Sequence, residues 1–137
     1  MIQLTLPAEL ERLGTFLEIM ERFAHDLAFP PARVHKLILI LEEALLNIVN
    51  HAYEEKGGEV EVRCWEKDGA ITIELRDQGR PFDPLSVPEP NLSNDVKERP
   101  IGGLGVFLIR KIADDMSYRR ENGFNIFTIV FQKENNR

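Results

Sequence analysis

Apolar residues recur along the chain at two different spacings, which predict helices in some segments and strands in others. In three segments every third or fourth residue is apolar, and we expect helices over residues 8–28, from Pro31 to the Gly57-Gly58 pair, and over 103–115. In five shorter segments the alternation predicts strands over residues 1–6, 59–67, 70–77, 117–121 and 124–132. Asp68-Gly69 and Asn122-Gly123 predict hairpin turns between neighbouring strands. The last strand is apolar on both faces, so we expect it inside the sheet.

Residues 78–102 follow neither spacing and are rich in proline and polar residues. Long irregular connections in compact domains are usually functional lids or linkers. A linker needs a second domain, and the chain beyond this segment only completes the first one. We therefore predict a lid at about residues 84–102. Together the elements predict one α+β domain over residues 1–137, a two-layer sandwich in which helices cover one face of a mixed sheet.

The composition is ordinary for a soluble globular protein, with 43% hydrophobic and 29% charged residues. The longest apolar run is far too short for a membrane span, and the N-terminus lacks the pattern of a secretory signal. A single cysteine, Cys64, excludes an internal disulfide and suits a cytoplasmic location. The net charge of −6 argues against direct nucleic-acid binding, because phosphate binding requires a basic surface.

The long second helix carries polar residues on the side away from its core stripe. At about 100° per residue, Glu43, Asn47 and Asn50 lie together, flanked by leucine and isoleucine. The predicted core stripe consists of Val34, Leu37, Ile38, Leu41, Leu45, Ile48 and Ala52. A carboxylate and a carboxamide are costly to bury without partners. The pattern fits a ligand site, and it also fits the solvated face of an amphipathic helix.

Two glycine-containing motifs follow the long helix. The second hairpin strand ends in Asp77-Gln78-Gly79, where an acceptor-only carboxylate precedes a residue that permits a sharp turn. The third helix opens with Gly102-Gly103-Leu104-Gly105, which exposes backbone N–H groups at a helix N-terminus, a position that favours anions. Neither motif has Rossmann or Walker spacing. Taken alone, the first also fits an ordinary turn and the second a hinge without ligand.

The order of these segments resembles the N, G1 and G2 boxes of the GHKL ATP-binding superfamily. More closely, EEALLNIVNHAY, RDQGRPFDP and GGLGVFLIRKIAD resemble the stand-alone anti-sigma factor serine kinases of bacterial partner-switching systems. Each box is weak alone, but three in this order are a strong signal. The resemblance implies a GHKL-type fold, ATP and Mg²⁺ as cofactors, and phosphorylation of a serine on a small anti-anti-sigma-type protein. It also implies a sigma factor as a further partner and a homodimer.

The resemblance also implies residue roles. Asn47 would coordinate Mg²⁺, and Glu43, one turn earlier, would be the general base. Asp77 would hold the adenine amine, with Gly79 letting the base come close. The backbone of Gly103, Leu104 and Gly105 would hold the phosphates.

Three further assignments are weaker. Thr128 would reach adenine through water. His51 matches a family position beside the site, although a packing or capping role fits equally well. The family's lid often supplies an arginine to the terminal phosphate, and Arg99 is the nearest candidate, slightly out of register with the glycines.

Three other functions compete with the kinase. The chain could be a non-catalytic ATP-binding module that sequesters a partner, or a detached catalytic domain of a sensor kinase. The segment from His25 to Pro30 resembles the segment around the phosphoacceptor histidine of sensor kinases. In those proteins the histidine belongs to a dimeric helical hairpin, and too few residues separate His25 from Asn47 to complete one. The third function is that of a conformational clamp driven by slow ATP hydrolysis. It is disfavoured because the sequence lacks the transducer domain that such proteins carry. Glu43 favours catalysis, because nucleotide binding alone requires no base there.

Overall fold

The computed structural model describes residues 1–53, 57–86 and 103–134. Five strands are present: β1 (Ile2–Pro7), β2 (Glu59–Lys67), β3 (Ala70–Asp77), β4 (Asp115–Glu121) and β5 (Phe124–Gln132). Three α-helices accompany them: α1 (Leu13–Asp26), α2 (Pro31–His51) and α3 (Gly103–Ile112). The two predicted hairpins, β2–β3 and β4–β5, are confirmed.

The five strands form one sheet in the order β1-β2-β3-β5-β4. The prediction of a mixed sheet is wrong in one respect, since all four pairings between these strands are antiparallel. The reason is that β3 and β4 run parallel but are not neighbours in the sheet. A crossover through α3 connects them. The hairpin strand β5 lies between them and is antiparallel to both. The predicted interior position of β5 is confirmed, and β1 and β4 lie at the two edges of the sheet.

The helices cover one face of the sheet, as predicted. Alternate strand residues point toward the helices, and the buried ones are Val60, Val62, Cys64, Ile71, Ile73, Leu75, Phe127, Ile129 and Phe131. They meet a second buried set from the helices: Leu13, Phe16, Met20, Ala24, Val34, Leu37, Ile40, Leu41, Ala44, Leu45 and Ile109. Complete burial of such side chains stabilises a fold by roughly 1.5–3 kcal/mol each relative to exposure. This contiguous core fixes α2 against the sheet.

Some predicted boundaries shift. The first helix begins at Leu13 instead of Ala8, because Leu10–Arg12 forms a 3₁₀ turn. The third helix ends at Ile112, and β4 begins at Asp115. Ile40, expected beside the polar side of α2, is completely buried, because α2 packs against both α1 and α3. Among the described residues, no helix combines the length and apolar character needed to cross a membrane.

A buried arginine fixes the N-terminal end of α2 to the end of β5. Arg33 is only 8% exposed, and its guanidinium donates to the Gln132 carbonyl at 2.7 and 3.1 Å and to Asp114 at 3.0 Å. The same Asp114 oxygen accepts from the Gln132 amide at 2.7 Å. The guanidinium also stacks over the Phe131 ring, 3.9 Å from its centroid. These contacts connect α2, the α3–β4 junction and β5.

We predict that Arg33→Ala lowers the free energy of unfolding by about 2 kcal/mol or more, because it leaves the Gln132 carbonyl and Asp114 without their charged donor. Urea unfolding would measure the effect. Lys36→Ala, an exposed change one turn further along α2, serves as the control and should stay within about 0.5 kcal/mol of the unmodified protein. Equal stabilities of the two variants would contradict a clamping role for Arg33.

Candidate functional site

A pocket that is partly open to solvent lies between α2, the end of β3, the start of β5 and the chain that follows β3. Its polar lining residues are Asn47, Asp77, Tyr118 and Asn125. Its apolar lining residues are Ala44, Ile48, Ala52, Phe82, Pro84 and Phe127. Apolar walls with a few convergent polar groups are typical of small-molecule sites. Ile48 and Ala52 therefore border the pocket, although their spacing predicted core positions.

Asp77 is the buried carboxylate of this pocket. It is the last residue of β3, and the strand alternation that points Ile73 and Leu75 into the core points Asp77 to the same face. The side chain is 5% exposed, and Oδ1 accepts hydrogen bonds from Asn125 Nδ2 at 2.8 Å and the Gly79 amide at 3.0 Å. Burial raises the pKa of Asp77, and these two hydrogen bonds and the charge of Arg120 oppose that rise.

Asn125, which the sequence analysis missed, is the centre of the polar network. It faces Asp77 across the β3–β5 ladder and is 5% exposed. Its Nδ2 donates to Asp77 and, at 2.8 Å, to the Arg80 carbonyl. Its Oδ1 accepts from the Tyr118 hydroxyl at 2.5 Å and from the Phe82 amide at 3.4 Å. The available signal was a lone carboxamide in the apolar run FNIFTIVF, since a buried amide needs partners.

The turn after β3 packs closely on the C-terminal end of α2. A Cβ at Gly79 would lie 2.1 Å from the Ala52 carbonyl oxygen, so only glycine fits this approach. The Arg80 amide donates to that carbonyl at 3.0 Å, and Arg120 donates to the Gly79 carbonyl at 2.7 Å. Gly79 therefore allows the turn to approach the helix this closely.

Tyr53 makes a second connection at the same place. Its hydroxyl donates to the Glu59 carbonyl at 2.5 Å and accepts from the Gln78 amide at 2.7 Å. Burial is the main reason why the pKa of the Tyr53 hydroxyl is raised. Its ring also lies where a Cβ on Gly58 would be, 2.2 Å from that position. Tyr53, shortly after α2, thus connects this part of the chain to the start of β2 and to Gln78, just after β3.

Glu43 and Asn47 lie one turn apart on α2, and both are half-buried. Asn47 lines the pocket. Glu43 lies against the first turn of α3, where a Cβ on Gly105 would be 2.6 Å from Glu43 Oε2. Burial raises the pKa of the Glu43 carboxyl, and the neighbouring charge of Glu42 raises it further. Glu42, the neighbouring glutamate, is exposed.

The beginning of the predicted lid is anchored to the sheet and to α3. Pro84–Ser86 forms a 3₁₀ turn, in which the Asp83 side chain accepts from the Leu85 amide at 2.8 Å. The Arg110 side chain donates to the Leu85 carbonyl. The rest of the predicted lid, including Arg99, lies outside the described residues.

The structure brings Asn47 and Asp77 to one pocket but corrects the assignment of Thr128. Thr128 lies three residues after Asn125 on β5, so its side chain points to the opposite face of the sheet and does not line the pocket. It pairs with Glu74 and Ser117 on that face. Asn125 holds the position beside Asp77 that Thr128 was expected to approach.

The remaining predicted residues are only partly described. Gly103 and Leu104 form the first residues of α3. His51 is the last residue of α2, and its side chain, like that of Leu104, is outside the described part of the structure. Within that part, no group of three or more His, Cys, Asp or Glu side chains could hold a metal ion.

Comparison with known proteins identifies the family of this chain. The model of the family described as "Histidine kinase-like ATPase domain" matches residues 6–131. Serine-protein kinase RsbW of Bacillus thuringiensis (strain Al Hakam) is 28% identical over 138 aligned positions, which cover 97% of this chain and 86% of the relative. RsbW of Bacillus anthracis (strain A0248) has the same identity and coverage.

Two solved structures share the fold. The chain with the RsbU and RsbW domains of Rv1364c from Mycobacterium tuberculosis superposes with a TM-score of 0.63 at 13% identity, over 96% of this chain and 32% of that one. This protein thus spans about a third of that chain. The SiaB-SiaC complex from Pseudomonas aeruginosa gives a TM-score of 0.60 at 15% identity, over 96% and 89%. The resemblance to GHKL proteins is confirmed, and the chain belongs to the histidine kinase-like ATPase domain family.

Proposed function

We propose that the protein is an ATP-dependent protein-serine kinase that phosphorylates a small anti-anti-sigma-type protein and acts as an anti-sigma-like regulator. The observation that carries the proposal is the buried Asp77 carboxylate in an apolar pocket. An ionised carboxylate is costly to bury, and its raised pKa indicates that this burial is only partly compensated. A ligand with a hydrogen-bond donor would compensate it further.

Adenine fits this pocket chemically. Its flat ring would lie against the apolar walls formed by Ile48, Phe82 and Phe127, and its exocyclic amine would donate to Asp77. Both hydrogen bonds described above use Asp77 Oδ1. Among the described residues no hydrogen bond to Oδ2 is observed, so that oxygen suits the incoming amine.

The triphosphate would extend from the adenine pocket along α2 toward α3. Asn47 lines the pocket, and its side-chain oxygen is a ligand that Mg²⁺ accepts alongside phosphate oxygens and water. Mg²⁺ is usually held by one or two protein ligands together with substrate phosphates, so the ion would arrive with the nucleotide. Bound Mg²⁺ would neutralise phosphate charge. The amides of Gly103, Leu104 and Gly105 would bind the phosphates at the N-terminus of α3.

Glu43 would act as the general base of phosphoryl transfer. The serine oxygen of the partner would attack the terminal phosphorus, and the bond from that phosphorus to the leaving oxygen of ADP would break. The serine proton would pass to the Glu43 carboxylate. The raised pKa of Glu43 supports this role, because a base works best when its pKa approaches the operating pH. Catalysis would otherwise rest on positioning and charge neutralisation.

The partner class is inferred from the relatives. RsbW is named a serine-protein kinase, and SiaB was solved in complex with SiaC. On this basis we propose a small antagonist protein as the phosphate acceptor. A sigma factor as a second partner and a homodimer as the working assembly are proposed only from the resemblance of the sequence motifs. Arg99 as a ligand of the terminal phosphate and His51 as a neighbour of the site stay predictions. A non-catalytic module that binds ATP and sequesters its partner remains the alternative.

Calorimetric titration with Mg²⁺-ATP tests the nucleotide site. We expect saturable binding by the unmodified protein and an affinity about 10- to 100-fold lower for Asp77→Asn, which loses a charged acceptor. Asp115→Asn, at the exposed start of β4, is the control and should bind like the unmodified protein. A folded protein that binds no ATP would refute the kinase proposal.

We expect that Asp77→Asn does not destabilise the nucleotide-free protein. Because the folded-state pKa of Asp77 is raised, its ionised form costs stability above the ordinary aspartate pKa, and this cost disappears as pH falls and the carboxyl protonates. We predict that Asp77→Asn raises the melting temperature at pH 7, with a smaller gain near pH 4. Circular dichroism would measure this, again with Asp115→Asn as the control. A lower melting temperature at pH 7 would show that Asp77 is structurally required.

Glu43→Gln separates catalysis from binding. We predict that transfer of radiolabelled phosphate from ATP to a purified anti-anti-sigma-type protein slows by about 10²- to 10⁴-fold, because the amide cannot accept the serine proton. ATP affinity should change little. Glu42→Gln, at the exposed neighbouring position, should keep most of the activity. Transfer at the unmodified rate by Glu43→Gln would exclude Glu43 as the base, and ATP binding without transfer by the unmodified protein would favour the sequestering module.

A further inference from the structure

We propose that Tyr118 and Asn125 orient the hydrogens around Asp77 so that the pocket offers only acceptors to the edge of the base, and thereby selects a 6-aminopurine over a 6-oxopurine. The inference rests on the proposed ATP site and assigns its base specificity to two residues that the sequence motifs do not include. Both residues line the pocket.

The hydrogen-bond partners of Asn125 allow only one orientation of its amide. Nδ2 lies 2.8 Å from two oxygens that can only accept, Asp77 Oδ1 and the Arg80 carbonyl. Oδ1 lies 3.4 Å from the Phe82 amide, which can only donate. Rotating the amide by 180° would place its oxygen against two acceptors and its NH₂ group against a donor. The donor side of Asn125 therefore faces Asp77.

This orientation fixes the proton of Tyr118. The amide oxygen of Asn125 cannot donate, so the hydroxyl 2.5 Å away must donate to it. A phenolic oxygen carries one hydrogen, and here that hydrogen is committed to Asn125. Toward a ligand in the pocket, the Tyr118 oxygen can then only accept.

Asn125 itself is saturated and has no donor left for a ligand. Both of its N–H groups and its oxygen already have partners. It is a positioning residue that acts through Asp77 and Tyr118. The resulting pocket edge carries the Asp77 carboxylate and the Tyr118 oxygen, both acceptors. The exocyclic amine of a 6-aminopurine donates to such an edge. In the same place the oxo group of a 6-oxopurine puts a third acceptor against it and leaves only the neighbouring N1–H as a donor, which is unfavourable.

Titration with ATP and with inosine triphosphate tests this assignment, because the bases of the two nucleotides differ in the amino or oxo group at position 6 and the associated ring proton. We expect the unmodified protein, with Mg²⁺ present, to prefer ATP by about 100-fold. Asn125→Asp puts a second carboxyl beside Asp77, and such a pair holds a proton that can be donated to the oxo group. We expect its preference to fall by about 10-fold or more, and that of Tyr118→Phe, which removes one acceptor, by about 3- to 10-fold.

Ser117→Ala is the matched control, since Ser117 adjoins Tyr118 on β4 but is exposed on the opposite face of the sheet. It should keep the preference of the unmodified protein. A merely structural role would weaken both nucleotides in parallel and leave their ratio unchanged, and that result in both variants would overturn the inference. If Asn125→Asp does not fold, Tyr118→Phe alone decides. Normal ATP binding with unchanged ratios refutes only this inference, whereas absence of ATP binding by the unmodified protein refutes the proposed function and this inference with it.

Discussion

The hydrogen bond from Asn125 to Asp77 joins two interior strands of the sheet at the point where the apolar core gives way to the pocket. Below it, the same face of β3 carries only apolar side chains, such as Leu75 and Ile73. Above it, the chain leaves the sheet, and Asn125 continues to hold it through the Arg80 carbonyl and the Phe82 amide. One buried amide therefore fixes the carboxylate, the turn and part of the pocket wall together.

The position of α2 relative to the sheet is the second requirement of the site. Arg33 fixes the beginning of this helix to the Gln132 carbonyl of β5. At the other end, the Ala52 carbonyl accepts from the Arg80 amide. Glu43 and Asn47 lie between these two attachments, while the buried side of the helix packs into the core. Side chains on a rigid, doubly attached helix keep their geometry better than side chains on a loop.

Burial of the Asp77 and Glu43 carboxylates lowers the stability of the folded protein, and the apolar core offsets this loss. Burial raises the pKa of both Asp77 and Glu43, so the folded protein holds each carboxyl in an environment less favourable to its charge than water. Arrangements of this kind cluster at functional sites, although structural networks produce them too. The surroundings of the two carboxyl groups differ, since Asp77 has close hydrogen-bond donors and Glu43 lies against Gly105 in the first turn of α3. That difference suits a binding role for the first and a proton-accepting role for the second.

The sequence by itself determined the elements, because periodicity and turn chemistry act over a few residues. It also indicated the polar side of α2, the aspartate at the end of β3 and the glycines of α3, because each of these features belongs to a short contiguous sequence motif. The register of β3 against β5, two strands that no hairpin turn connects, was decided only by the tertiary structure. Asn125 meets Asp77 from 48 positions away, and Thr128 points away from the pocket because one face of β5 was already committed to the core. A hairpin turn fixes the register of the two strands that it connects, but no such turn connects β3 to β5, so the meeting of Asp77 with Asn125 could not be read from a local pattern.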